Sequence, residues 1–547
     1  MNILAIIPAR GGSKGIPRKN VRPLNDMPLI YYAIHNALCS IYNLDVYVSS
    51  DDEEILSISK KLSAKIHVRK KFFSEDNVTL DPVIHNALSD IELKEKKIYS
   101  YVITLQPTSP LIKVSTIDKA IEYILSHPEI DTLISAKEDF HLSWKKNQGQ
   151  FVPNFKKRLN RQYLQPVYRE TGGFLITKRH LITETNRIGQ NVDLFLLSNG
   201  EELDIDSYED WNICEFYLKR KKVLFVVSGN LDVGLGHVYN TLLVANDILD
   251  HDVQFIVDYK SQLAFDKISS LNYKVIMQQA DDIVKDIIQL KPDIVINDRL
   301  DNSYAYIDAL KKERIKVINF EDRGEGSQIA DLVINAIYSE KKIIQNSYFG
   351  HQYFVLRDEF LLASPVEKVN KNVSNVLLCF GGTDPNNYTL KVLNSIYDYC
   401  LSNSITINIV TGIGYHKYDS LKPYNKAKIF IDINRISDYM LQSDIIFSAC
   451  GRTTYEIASL AIPAIIMAQN ERELTHYFPY GQNGFINLGI GKIVSQSEIL
   501  KEFKKLVINQ NLRQKMSNLM KKTDCRQGRS NVNRMIKQII ENVSNEY

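Results

Sequence analysis

Residues 7–20 read IPARGGSKGIPRKN and follow the apolar run Ile3-Leu4-Ala5-Ile6. Gly11, Gly12 and Gly15 stand among four cations, Arg10, Lys14, Arg18 and Lys19. With no Cβ in the way, backbone N–H groups close on a phosphate, and the cations add charge-assisted hydrogen bonds. The order is neither a Walker A loop, which needs Gly-Lys followed by Ser or Thr, nor the GxGxxG turn of a dinucleotide fold. A solvated basic turn is the alternative; the strand upstream and Pro17 at the exit weigh against it. Further along, Asp204 and Asp206 in LDIDSYED alternate on an extended stretch, so both carboxylates can face one side and hold a divalent cation. A solvated acidic turn is the plain reading of that pair. His237 closes GLGH after another apolar strand, where an imidazole can activate or deliver a water.

The elements that must position these groups alternate between short apolar runs and amphipathic stretches, the pattern of a parallel sheet covered by helices. ILAII, VYVSS, YVITL and TLISA read as buried strands; PLIYYAIHNALCS and STIDKAIEYILSHP read as helices. The charged run Lys219-Arg220-Lys221-Lys222 ends one segment. VLFVVSGNLDVGLGHVYN then restarts the strand, glycine turn, helix pattern, and NVLLCFGGTDPNNYTLKVL restarts it again at residue 375. An α/β chain is expected, with one domain over 1–220 and a two-lobed domain over 221–547. Its lobes would span about 221–368 and 369–547, joined by the polar stretch Pro365–Asn372. A chain of 547 residues is too long for one core in any case. Lys and Arg total 67 against 64 Asp and Glu, a balance without the basic face of a nucleic-acid binder. Six scattered cysteines with no CxxC spacing suit reduced thiols. No apolar run approaches the roughly 20 residues of a membrane span, and no signal-peptide core precedes Pro8. A cytoplasmic protein with no nucleic-acid and no membrane partner is expected.

IPARGGSKGIPRKN resembles the signature of CMP-sialic acid synthetases, the cytidylyltransferases that activate nonulosonic acids. LQPTSPL (105–111), RQYLQPVYRETGGFLIT (161–177) and LDIDSYED (203–210) match the same family in the same order. The resemblance implies a nucleotidyltransferase, Rossmann-like first domain in which a sugar-acid oxygen attacks the α-phosphate of CTP and pyrophosphate leaves. Arg10, Gly11, Gly12, Ser13, Lys14, Lys19, Asn20 and Asp51 would bind CTP, with Arg10 and Lys19 as the catalytic cations that stabilise the leaving pyrophosphate. Mg²⁺ would sit on Asp204 and Asp206, where it would neutralise phosphate charge. Gln106, Lys145, Arg161 and Arg169 would face the sugar acid, and the family implies a homodimer. GGFLIT, with Leu175 where the sialic acid enzymes often place an aromatic, leaves open which acid (sialic, legionaminic or pseudaminic) is used.

The rest of the chain resembles the UDP-sugar hydrolase of pseudaminic acid biosynthesis and spore-coat polysaccharide proteins, and more distantly the lipid II glycosyltransferase. All imply a GT-B-like architecture. The phosphatase tail of animal synthetases would need Asp-x-Asp after its first strand, where this chain has Ser228, Gly229 and Asn230. By resemblance a UDP-sugar would lie on Gly236, Gly381, Gly382, Thr383, Gly451, Thr453, Thr454, Glu456 and Asn470, with Glu456 on the ribose and His237 catalytic. His476 is a weaker candidate, and helix capping remains open for Thr453 and Thr454. The hydrolase's Asp-x-Tyr is replaced by Asp298-Arg299-Leu300, with Tyr304 nearby, while Glu321, Asp322 and Glu325 keep an acidic loop. The expectation is a bifunctional enzyme. The alternatives for the second domain are a glycosyltransferase and a non-catalytic nucleotide-sugar-binding or oligomerisation module.

Overall fold

Runs such as ILAIIP, KVLFVV and NVLLC carry Ile, Val and Leu on both faces and are buried on both, as helix-covered parallel strands must be. The computed structural model describes residues 2–230, 234–338 and 345–543. The chain divides into two compact units, Met1–Arg220 and Lys221–Tyr547.

The first unit is built on a seven-stranded sheet in the order Val192–Leu196, Thr132–Asp139, Val167–Lys178, Tyr101–Leu105, Ile3–Pro8, Asp45–Ser50, Lys65–Val68. Only Val167–Lys178 runs antiparallel to its neighbours. Along the first strand Ile3, Ala5 and Ile7 pack under the helices Ile30–Leu38 and Val114–Ser126, whereas Leu4 and Ile6 pack under Leu80–Glu95. That alternation seals both faces. The four strands expected from sequence are present. Val167–Lys178 was not expected, because its outer half, VYRE, is polar and exposed, and its pairing slips between Glu170 and Leu175. The slip carries Gly172 and Gly173 up to Gln106, at the end of the strand Tyr101–Leu105.

The second unit holds two wholly parallel sheets. The first has seven strands in the order Val275–Met277, Asp252–Val257, Lys222–Val227, Ile294–Asp298, Lys316–Phe320, Leu332–Asn335, Ser347–Phe349. The second has six, Lys428–Ile431, Thr406–Thr411, Asn375–Cys379, Ile445–Ala449, Ala464–Ala468, Phe485–Ile490. Each lobe is therefore a doubly wound α/β layer with its own core, the two-lobed GT-B-like arrangement. The last helix, Gly528–Glu541, returns to the first lobe: Val532, Ile536 and Ile540 join that lobe's core, and Arg529 clamps Asp247 at 2.7 Å. The second lobe thus does not keep the whole of 369–547, a crossover that no local pattern in the sequence announces. Among the described residues, no helix is long and apolar enough to cross a membrane.

Candidate active sites

In the first unit the glycine loop leaves the strand Ile3–Pro8 and ends in the 3₁₀ turn Lys19–Val21, pinned by fully buried Ile16. Two of its glycines are closely packed, Gly15 against backbone. A Cβ on Gly11 would lie 2.7 Å from the Asp52 carboxylate, and one on Gly15 would lie 2.6 Å from the backbone carbonyl of Asp206; Gly12 faces open space. Asp51, at the end of Asp45–Ser50, accepts the Gly11 N–H at 3.2 Å, and buried Asn20 donates to the Arg10 carbonyl at 3.0 Å. The Ser13 N–H turns back on the Gly11 carbonyl. Arg10 and Lys14 both reach the Asp76 carboxylate, at 2.9 and 2.6 Å, and Arg18 pairs with Glu54. Neither Asp76 nor Glu54 was singled out from sequence, since both come from segments far along the chain with no motif of their own.

Lys19 ties the loop to the acidic segment. Its Nζ donates to the Ile205 carbonyl at 2.6 Å and lies 3.6 Å from Asp206 Oδ1. Asp204 points inward. Its Oδ1 is buried outside hydrogen-bond geometry; burial raises its carboxyl above the ordinary range, the Thr108 hydroxyl opposes that rise and the Asp206 charge adds to it. Asp206 instead is 81 % exposed, its backbone held by Asp210, which closes a capping box with Ser207 on the helix Tyr208–Lys219. Gln106 and Asp204 flank Gly172, whose φ of 74° a larger residue would resist; a Cβ there would stand 3.3 Å from Gln106 Nε2 and 3.5 Å from Asp204 Oδ2. An orphaned buried carboxylate oxygen beside a second, open carboxylate fits Mg²⁺, which takes one or two carboxylates and completes its shell with waters and substrate phosphates. No group of three or more His, Cys, Asp or Glu suited to a metal occurs among the described residues.

The remaining sugar-acid candidates lie on exposed segments. Lys145 is on the exposed hairpin Trp144–Asn147/Gln150–Pro153, Arg161 opens an exposed 3₁₀ turn, and Arg169 lies on the exposed outer half of Val167–Lys178 opposite Lys137. Among the described residues, no contact joins these three to Gln106 or Asp204.

In the second unit His237 lies in the first turn of the helix Gly236–Asp247, and its Nδ1 bonds the carboxylate of Asp298, the fully buried last residue of Ile294–Asp298. A carboxylate only accepts, so Nδ1 carries the proton and Nε2 is left as the basic nitrogen. The other Asp298 oxygen accepts Asn240 Nδ2 at 2.6 Å, and Asn240 Oδ1 accepts Arg452 Nη2 of the second lobe at 2.8 Å. The Asp298-Arg299-Leu300 departure therefore keeps the residue that matters to the histidine. Tyr304 is exposed; Tyr306 is the tyrosine that turns inward, donating to Asn297 at 2.7 Å. Glu321, at the end of Lys316–Phe320, is wholly buried between the Ala336 and Ile337 N–H groups, and burial pushes its carboxyl up to about 7.

The nucleotide-side candidates gather on the second lobe's strand ends. Gly381 (φ 86°), Gly382 and Thr383 follow Asn375–Cys379, and the Thr383 hydroxyl is 3.8 Å from where a Gly234 Cβ would be. Gly451 precedes the helix Thr453–Leu460, whose first N–H groups take no side-chain cap; Thr454 turns its hydroxyl back to the Gly451 carbonyl at 2.8 Å. Gly236 packs where its Cβ would touch Arg452. Glu456 gives one oxygen to Arg357 at 2.8 Å. Asn470 is exposed and caps Glu471–Leu474, while its neighbour Gln469 is buried between Asp384 and Asn386. His476 is buried in an aromatic cluster, its Nδ1 on the Cys450 carbonyl at 3.0 Å, and burial drives it down to about 3, so it stays neutral.

Comparison with known proteins follows the division into units. A sequence profile for the family described as cytidylyltransferase matches residues 4–206. A pseudaminic acid cytidylyltransferase of Campylobacter jejuni is 32% identical over 228 residues, 40% of this chain and 97% of that protein. An uncharacterized protein of Methanocaldococcus jannaschii is 30% identical over 282 residues, and the alignment covers 47% of this chain and 58% of that one. A Helicobacter pylori protein described as a pseudaminic acid cytidylyltransferase and UDP-2,4-diacetamido-2,4,6-trideoxy-beta-L-altropyranose hydrolase is 24% identical over 533 residues, 93% of this chain and 96% of its own. Through its first unit, the chain belongs to the cytidylyltransferase family.

Proposed function

We propose that the chain is a bifunctional enzyme of nonulosonic acid biosynthesis. The first unit transfers CMP from CTP to a nonulosonic acid of the pseudaminic type, releasing pyrophosphate; the second removes UDP from a UDP-sugar. The observation that carries the first half is the meeting of the glycine loop, through Lys19, with the Asp204–Asp206 segment and Gln106. The loop N–H groups and Arg10 and Lys14 receive the triphosphate, and Lys19 stays beside the phosphate being transferred. Mg²⁺ on Asp204 and Asp206 supplies charge neutralisation at the phosphates. Gln106 orients the sugar acid, and Arg161 and Arg169, with Lys145, are free to pair with its carboxylate. Trp144, Phe151, Tyr163, Val167 and Tyr168 are exposed on the same part of the chain, and we assign their covering to a second copy, giving a homodimer.

The His237–Asp298 pair carries the second half. Nε2 takes a proton from the attacking water, Asp298 stabilises the imidazolium, and UDP leaves toward the start of the helix Thr453–Leu460, which takes no side-chain cap and whose dipole favours its diphosphate. The full-length Helicobacter relative, whose printed name joins the same two activities, supports the pairing.

Pyrophosphate release from CTP and Mg²⁺ should be fastest with pseudaminic acid among sialic, legionaminic and pseudaminic acids; release with none of them sinks the first assignment. Asp204→Asn should abolish that release and, in the metal-free protein, raise the melting temperature. A carboxyl whose folded value is raised stabilises only while protonated, so the benefit of Asn should be absent in acid and grow as pH rises through the folded value. Asp298→Asn should lower kcat for UDP release by at least about a hundredfold with little change in KM. UDP release that requires an added acceptor would favour the transferase reading, and none under any condition the binding-module reading.

A further inference from the structure

Every cation of the glycine loop is already engaged with a carboxylate. Asp76 takes two of them: Oδ1 accepts Arg10 Nη1 at 2.9 Å and Oδ2 lies 2.6 Å from Lys14 Nζ. It comes from the segment between the 3₁₀ turn Lys71–Ser74 and the helix Leu80–Glu95. The Lys14 and Arg10 cations hold its carboxyl below the usual range, so it stays charged at neutral pH. Among the described residues its side chain contacts nothing else. Asp51 differs: it accepts a backbone N–H of the loop and is built into its shape. Asp76 and Lys14 are 52 % and 76 % exposed, and ion pairs so open to water are weak and exchange readily.

We infer that Asp76 is an exchange carboxylate for the phosphate site. It neutralises Arg10 and Lys14 between turnovers, gives them up to the incoming triphosphate, and takes them back as pyrophosphate leaves. The physical reason is charge: a carboxylate and a triphosphate on the same two cations repel each other, and only the carboxylate is unanchored. Without Asp76 the two cations would face each other uncompensated, and pyrophosphate, which binds through charge alone, would be the ligand most reluctant to go. The inference rests on the reading of the loop as the CTP phosphate site, and its test separates the two.

Calorimetric titration of the full chain with Mg·CTP and with Mg·pyrophosphate provides that test, with thermal melting as the check on folding. Asp76→Asn keeps the side chain's size and removes its charge. Both ligands should bind about two- to tenfold tighter, pyrophosphate should become the stronger product inhibitor, and the gain should shrink as ionic strength rises. Asp76→Glu, which keeps the charge, should stay near the wild type. Weaker or unchanged binding in Asp76→Asn, while Lys14→Ala loses affinity for both ligands, overturns the exchange role alone. Unchanged CTP binding in Lys14→Ala removes the phosphate reading of the loop and this inference with it.

Discussion

Parallel strands bring their carboxyl ends to one edge of a sheet, and many of the groups considered for chemistry stand just past such an end. The glycine loop follows Ile3–Pro8, Asp51 follows Asp45–Ser50, and Gln106 follows Tyr101–Leu105. In the second unit Asp298 closes its strand, Glu321 follows Lys316–Phe320, and the Gly381, Gly451 and Gln469 turns each follow a strand of the second lobe. The apolar residues of these strands serve the site indirectly. By packing on both faces they leave the strand ends as the place where polar side chains and glycine turns collect without costing the core.

At those ends the chain has to manage charge taken out of water, and it does so in two ways. Asp298 is fully buried yet satisfied by His237 and Asn240, and Asn240 passes the contact on to Arg452 in the other lobe. The histidine's orientation and the approach of the two lobes are thus parts of one hydrogen-bonded chain, with Arg472 on Asp301 and the Glu321 carbonyl adding a second tie. Asp204 is the opposite case. Its inner oxygen lies outside hydrogen-bond geometry and its carboxyl is raised by burial, which the Thr108 hydroxyl only partly offsets, a local cost that a cation held there would relieve.

The sequence was legible where function depends on local order. Gly15 is required by the Asp206 backbone and Gly11 packs against the Asp52 side chain, and the spacing of the glycines after an apolar strand is what marked the loop. His237 was found the same way, from a glycine turn after a strand. What could not be read was anything set by strand order. Asp298 looked like half of a missing motif until Ile294–Asp298 paired beside Lys222–Val227 and brought it under His237. Asp76 had no motif at all, and the return of Gly528–Glu541 to the first lobe depends on a crossover between distant segments. Lys145 and Arg161 came from resemblance alone, and the fold leaves them on exposed segments.

On the proposed reading, one chain carries two separate chemistries, each with its own machinery. Pyrophosphate release from CTP with the sugar acid and UDP release from the UDP-sugar, measured in the full chain, in Lys19→Ala and in His237→Ala, tell them apart. Lys19→Ala should lose the first activity and keep the second, and His237→Ala should do the reverse. Loss of both activities in either variant, or of neither in both, would contradict that reading.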